Sequence, residues 1–222
     1  MSLLVKICGL SDEASVRAAR AAGADMIGLV FFARSPRNVS VSDAVGLARI
    51  AREDPALTVV ALTVDPSDEA IAEIMEAVAP DMLQLHGSET PERVREIAGR
   101  FNVATMKAIG VREPSDLVAI DAYCQAADRI LLDAKPPKDA VLPGGNGIAF
   151  DWHMLQELDL DDRFMLSGGL DPETVGTAIS TTGIAGVDVS SGVESAPGRK
   201  QPALIAEFVT AARRQEREGT EV

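Results

Sequence analysis

The chain has 222 residues, with 21 Lys+Arg against 34 Asp+Glu and a formal net charge of −13. That length suits one domain with a sizeable core, and 46% hydrophobic with 25% charged residues excludes wholesale disorder. Two cysteines, Cys8 and Cys124, exclude a disulfide framework and, without a closely spaced Cys/His set, a structural zinc site; the acid surplus excludes a general nucleic-acid binder. The N-terminus has no basic segment leading into an apolar run, so no signal peptide is expected. No apolar stretch reaches the ~18–20 residues of a membrane span. The expected setting is cytoplasmic, with no membrane partner.

Short β-rich runs recur along the chain, most followed by a helical segment. They are Leu3 to Cys8, Met26 to Phe31, Thr58 to Val64, Met82 to Leu85, Val103 to Ile109, Arg129 to Leu132, Phe164 to Leu166 and Gly186 to Val189. A spacing of roughly 22–35 residues is what a strand, a loop and a helix occupy. Asp12 to Ala22, Ser42 to Arg52, Asp68 to Val78 and Pro91 to Arg100 carry apolar residues at helical spacing. In the third of these, Ile71, Ile74, Met75 and Val78 share one face. Three junctions echo one another: Gly23-Ala24-Asp25-Met26, Ala79-Pro80-Asp81-Met82 and Ala126-Ala127-Asp128-Arg129. Each places a helix breaker or small residue, then a turn-favouring Asp, before a strand.

Near-continuously apolar strands separated by helices imply a parallel sheet covered by helices. Eight units in this length predict an α/β fold: a single-domain (β/α)8 TIM barrel over residues 1–213, with 214–222 a frayed tail. An open doubly wound sheet is the second choice, because no glycine fingerprint follows the first strand.

In such a barrel the chemistry sits past the C-terminal strand ends. Those positions hold Cys8-Gly9, Arg34-Ser35-Pro36-Arg37, His86-Gly87, Asp133, Ser167-Gly168-Gly169 and Ser190-Ser191-Gly192. Gly168 and Gly169 after the seventh run, with Ser191 and Gly192 after the eighth, form candidate phosphate loops, since free amides and close backbone approach suit a phosphate. Cys8 is either a base or nucleophile of lowered pKa or a small buried apolar residue. It shares a pleat face with Lys6 and Leu4. Asp133 is either a partly desolvated acid of raised pKa or a loop ion pair with Lys135. Arg37 either grips a planar carboxylate or is solvated. His86 either bonds the substrate or caps a turn. Lys107 and Asp188, inside apolar strands, are expected to face inward, paired or contacting substrate. Gly144-Gly145-Asn146-Gly147 is expected to be a mobile lid.

Several of these segments resemble the phosphoribosylanthranilate isomerase family. They are Val5-Lys6-Ile7-Cys8-Gly9-Leu10, Gly28 to Phe32 with Ser35-Pro36-Arg37, Gln84-Leu85-His86-Gly87 and Leu132-Asp133-Ala134-Lys135. Gly144 to Gly147, Phe150-Asp151-Trp152, Leu166 to Leu170 and Val187 to Glu194 complete the set. They follow the family's order along essentially the whole chain. The resemblance implies a metal-free, cofactor-free isomerase of tryptophan biosynthesis. It would convert N-(5-phosphoribosyl)anthranilate to 1-(2-carboxyphenylamino)-1-deoxyribulose 5-phosphate by an Amadori rearrangement. It implies Cys8 as general base, Asp133 as general acid, Arg37 on the anthranilate carboxylate and the two small-residue loops on the phosphate. Departures are Ala134 and Asn146, where Thr is frequent in the family, and a longer segment from Lys138 to Leu142. The expected partner is a small phosphorylated substrate, with the chain a monomer or homodimer. Two rival readings are a sister barrel isomerase acting on a phosphoribosyl imidazole and a catalytically silent barrel binding a phosphorylated metabolite.

Overall fold

A computed structural model describes residues 3–135, 150–156, 158 and 160–220, with side chains through residue 215. Eight parallel strands follow one another around a closed barrel: β1 (Leu4–Cys8), β2 (Met26–Phe31), β3 (Thr58–Thr63), β4 (Met82–Leu85), β5 (Ala104–Val111), β6 (Arg129–Ala134), β7 (Phe164–Leu166) and β8 (Gly186–Val189). The ring shuts where β1 pairs with β8, with Lys6 in register with Asp188. All eight expected strands form. β6 runs two residues further than expected, so Asp133 lies inside the strand end rather than past it. The expected lid, Gly144 to Gly147, lies outside the described residues.

The outer layer holds α1 (Glu13–Ala22), α2 (Val41–Ala51), α3 (Asp68–Ala77), α4 (Pro91–Phe101), α5 (Ile120–Cys124), α6 (Val175–Thr182) and α7 (Pro202–Thr220). The first four start at side-chain caps. Asp12, Ser40, Ser67 and Thr90 accept from the N–H of Ser15, Asp43, Ala70 and Arg93, respectively, which satisfies a donor that the helix itself cannot. On α3, Ile71 and Ile74 are buried, as is Val78 just past its end. α7 carries helical backbone on to Thr220, through most of the segment expected to be a frayed tail. A short antiparallel pair without a sequence forerunner, β9 (Glu194–Ala196) and β10 (Arg199–Lys200), follows β8.

Pleat parity sorts the strands into two faces. Met26, Val60, Met82, Met106, Leu131 and Met165 point inward and plug the N-terminal half of the barrel. The alternate residues, such as Ile7, Leu29, Leu83 and Leu132, pack outward against the helices. Lys107 falls between inward-facing Met106 and Ala108, so it points outward, contrary to expectation. Its ammonium donates to the carbonyls of Leu85 (3.2 Å) and Gly87 (2.7 Å) and to Glu89 Oε2 (2.8 Å). The charge is thereby satisfied beneath the β4–α4 turn.

The repeated Asp before a strand has one structural job. Asp25, Asp81 and Asp128 accept through Oδ2 from the N–H of Val5 (2.6 Å), Val59 (2.7 Å) and Thr105 (2.8 Å). Their own N–H groups donate back to the carbonyls of the same three residues. Each Asp therefore locks the preceding strand at the bottom of the barrel. Asp81→Ala leaves the wholly buried Val59 without its carboxylate acceptor, an expected loss of about 1–3 kcal/mol in urea titration. Because the site lies at the other end, kcat should be unchanged; lost turnover at full stability would contradict this purely structural role.

Candidate active site

The C-terminal mouth contains two buried polar clusters. The first spans β8 and β1. Lys6 is 0% exposed and its Nζ lies 2.8 Å from Asp188 Oδ1, while Asp188 Oδ2 accepts from Ser167 Oγ at 3.4 Å. Cys8 ends β1 one inward position above Lys6, 4% exposed and packed on Val30 and Leu62. Burial pushes the Cys8 thiol up from its usual range; the Lys6 ammonium beside it acts in the opposite direction, and the Asp188 carboxylate adds to the rise. Burial alone would depress Lys6, but Asp188 and the Cys8 sulfur outweigh it and hold the ammonium above the ordinary lysine value. Asp188 is thus a paired inward charge, one of the two fates expected for it.

This cluster continues into the β9–β10 pair. Arg37 is 6% exposed, not solvated. Its Nε and Nη2 donate to Glu194 Oε1 (2.7 Å) and Oε2 (2.9 Å), a two-pronged grip that fixes the plane of the guanidinium. Lys200 Nζ reaches Glu194 Oε1 (2.7 Å), Ser190 O (2.8 Å) and Ser190 Oγ (3.2 Å). Ser190 Oγ in turn donates to Cys8 O at 3.1 Å. Burial would raise Glu194, but Arg37 and Lys200 overcome it and hold the carboxyl below its ordinary value. No sequence signal marks Glu194 or Lys200 as a site residue: Glu194 closes a family-like segment without a chemical motif of its own, and no motif surrounds Lys200.

The second cluster joins β4 to β6. Asp133, 4% exposed, accepts from the Ala134 N–H through Oδ1 at 3.0 Å. Its Oδ2 is 3.2 Å from His86 Nε2. His86 Nδ1 lies 3.1 Å from Gln84 Nε2. Lys135 pairs with Asp116 at 2.5 Å, so the loop ion pair considered for Asp133 does not form. His86 meets Asp133 directly, a contact that the sequence spacing could not show.

The two small-residue loops pack on each other. Gly168 and Gly169 have φ of +85° and +68°, and a Cβ on Gly168 would stand 2.5 Å from the backbone nitrogen of Ala134. A Cβ on Gly192 would collide with Leu170 O. Only glycine allows either approach. The N–H groups of Gly168, Gly169, Ser191 and Gly192 donate to no described residue. Four unclaimed amides on adjoining loops are suited to an anion. Among the described residues, no group of three or more His, Cys, Asp or Glu is placed to hold a metal ion, and no helix is long and apolar enough to cross a membrane.

The N-(5'-phosphoribosyl)anthranilate isomerase family model matches residues 5–211. An N-(5'-phosphoribosyl)anthranilate isomerase of Rhodopseudomonas palustris (strain BisB5) is 54% identical, with the match covering 97% of this chain and 98% of the relative. The crystal structure of phosphoribosyl anthranilate isomerase from Thermotoga maritima superposes with a TM-score of 0.84 at 34% identity, covering 95% of this chain and 98% of that one. A phosphoribosyl anthranilate isomerase in complex with reduced 1-(o-carboxyphenylamino)-1-deoxyribulose 5-phosphate superposes with a TM-score of 0.80 at 32% identity, covering 95% and 98%. A 3-hexulose-6-phosphate synthase, at 18% identity and a TM-score of 0.62, shares the fold alone. With nearly the whole barrel matched, the chain belongs to the N-(5'-phosphoribosyl)anthranilate isomerase family.

Proposed function

We propose that this isomerase of tryptophan biosynthesis rearranges N-(5-phosphoribosyl)anthranilate with Asp133 as general acid and Cys8 as general base. The observation that carries the assignment is the pairing of two buried proton-transfer groups, on β6 and β1, at a mouth whose β7 and β8 loops present four unclaimed amides. The amides of Gly168, Gly169, Ser191 and Gly192 would hold the substrate phosphate, seating the ribose between the acid and the base. Asp133 gives its proton to the furanose ring oxygen as the C1–O bond breaks, and the anthranilate nitrogen lone pair forms the C1=N bond of a protonated Schiff base. Cys8 thiolate then takes the proton from C2, and the C2–H electrons form the C1–C2 enolamine, which tautomerises to the ketone product. Each proton transfer is typically worth ~10²–10⁴-fold in rate.

Arg37, held edge-on by Glu194, addresses the anthranilate carboxylate, and His86 supports the acid side. The β1/β8 side holds three buried cationic side chains, Lys6, Arg37 and Lys200, against two buried carboxylates, Asp188 and Glu194. While Cys8 is a thiol, that local surplus favours a substrate bearing both a phosphate and a carboxylate in a chain of net charge −13. A reducing cytoplasm is the compartment that keeps Cys8 a usable thiol.

Fluorescence-monitored turnover of freshly made phosphoribosylanthranilate tests the assignment. The full chain should consume it at the same rate with and without a metal chelator; no turnover would remove the function. Arg37→Ala should raise KM roughly tenfold or more with a smaller effect on kcat. An unchanged KM would take Arg37 out of the binding site.

A further inference from the structure

Gln84 is a wholly buried polar side chain on the inner face of β4, above the methionine plug. Its strand neighbours in register are Leu62 and Met106, so its surroundings along the sheet are apolar. The amide Nε2 faces His86 Nδ1 at 3.1 Å, and Oε1 is buried with no hydrogen-bond partner among the described residues. Beyond the imidazole, Nε2 of His86 meets Asp133 Oδ2 at 3.2 Å. Amide, imidazole and carboxyl therefore form one line from the barrel interior to the mouth.

A neutral imidazole carries one N–H, and its position decides what the other nitrogen does. With the Gln84 nitrogen facing Nδ1, the imidazole proton sits on Nε2 and is donated to Asp133, which favours the carboxylate and leaves Gln84 Oε1 without a donor. Turning the amide about its last bond brings Oε1 to Nδ1. The imidazole proton then sits on Nδ1, Nε2 becomes an acceptor, and only a protonated Asp133 can supply the hydrogen.

We infer that Gln84 is a positioning residue for the acid step: its Oε1 holds His86 as the Nδ1–H tautomer, so that Nε2 accepts from the Asp133 hydroxyl and keeps that group in its proton-bearing form. The inference rests on Asp133 acting as the acid. The other charged groups around the line have partners of their own. Lys107 and Glu89 pair beneath the Gly87 turn, Asp65 accepts from Ser88, Lys135 pairs with Asp116 and Lys6 with Asp188, and Arg112 donates to Lys135 O.

The tautomer can be read without turnover. The chain has two histidines, and ¹⁵N spectra of the full-length protein, assigned with a His153→Gln variant, should show neutral His86 protonated on Nδ1. Protonation on Nε2 overturns the inference while leaving the role of Asp133 to its own variant. Gln84→Met cannot accept from Nδ1–H. Its kcat–pH profile should have one limb, that of Asp133, moved to lower pH by about one unit, a tenfold change in the ionisation ratio, while the Cys8 limb stays. A lowered kcat with both limbs in place would mean that Gln84 is merely structural and would equally overturn the inference.

Discussion

Asp133→Asn should lower kcat by at least ~10²-fold, about 2.7 kcal/mol of barrier, with KM within a few-fold of the parent and the barrel intact. Asn has the shape of Asp, and its side-chain oxygen can still accept from the Ala134 N–H, the contact that anchors Oδ1. The amide can also still meet His86, so neither neighbour is orphaned and packing at the end of β6 is retained. What the variant loses is a transferable proton. The ring oxygen of the substrate leaves C1 as an alkoxide unless it is protonated, and among the described residues no other acidic side chain hydrogen-bonds His86. Turnover should therefore fall while the urea midpoint hardly moves. Near-parental kcat would remove Asp133 as the acid; a collapse in stability of equal size would make its role structural.

Much of this arrangement was legible in the sequence because strand periodicity and barrel geometry constrain it twice. The eight apolar runs became the eight strands, and placing chemistry at their C-terminal ends brought Cys8, His86, Asp133 and the two glycine loops to one mouth. Pleat parity put Cys8 and Lys6 on a common inner face. The same rule, applied to Lys107, would have turned it outward, since Met106 and Ala108 on either side face in; the expectation that it faced inward rested on the cost of a charge in an apolar run. That cost is met by two carbonyls and Glu89 outside the barrel. Contacts between distant segments were less accessible. Arg37 and Glu194 are 157 positions apart, and neither residue type in its local setting announces the other. A buried Gln on an inward position is likewise indistinguishable, in sequence, from one facing solvent at a strand end. The common Asp of the three junctions is a turn signal in the sequence, but its grip on the preceding strand's N–H depends on strand pairing, which local patterns do not encode.

Cys8→Ser should also cut kcat by at least ~10²-fold, for a reason that the burial of the thiol makes sharper. Proton transfer needs a neutral Asp133 together with an ionised Cys8. The alternative, an ionised Asp133 with a neutral Cys8, carries the same number of protons, so changing pH over the range between their titrations does not convert one into the other. Their ratio is set by the two environments. Burial pushes Cys8 towards the thiol, against the productive pair, and the Lys6 ammonium opposes it. The fraction of active enzyme thus hinges on how readily the group at position 8 ionises. An alcohol is a far weaker acid than a thiol, so serine in the same place holds almost no alkoxide even beside Lys6. Substituting oxygen for sulfur against Val30 and Leu62 should cost at most about 1–3 kcal/mol, which a thermal melt reads separately from rate. Parental enzyme should give a bell-shaped kcat profile, and the residual rate of Cys8→Ser should lack the limb that belongs to the thiol. A serine variant within a few-fold of parental kcat, with the bell unchanged, would show that another group takes the C2 proton.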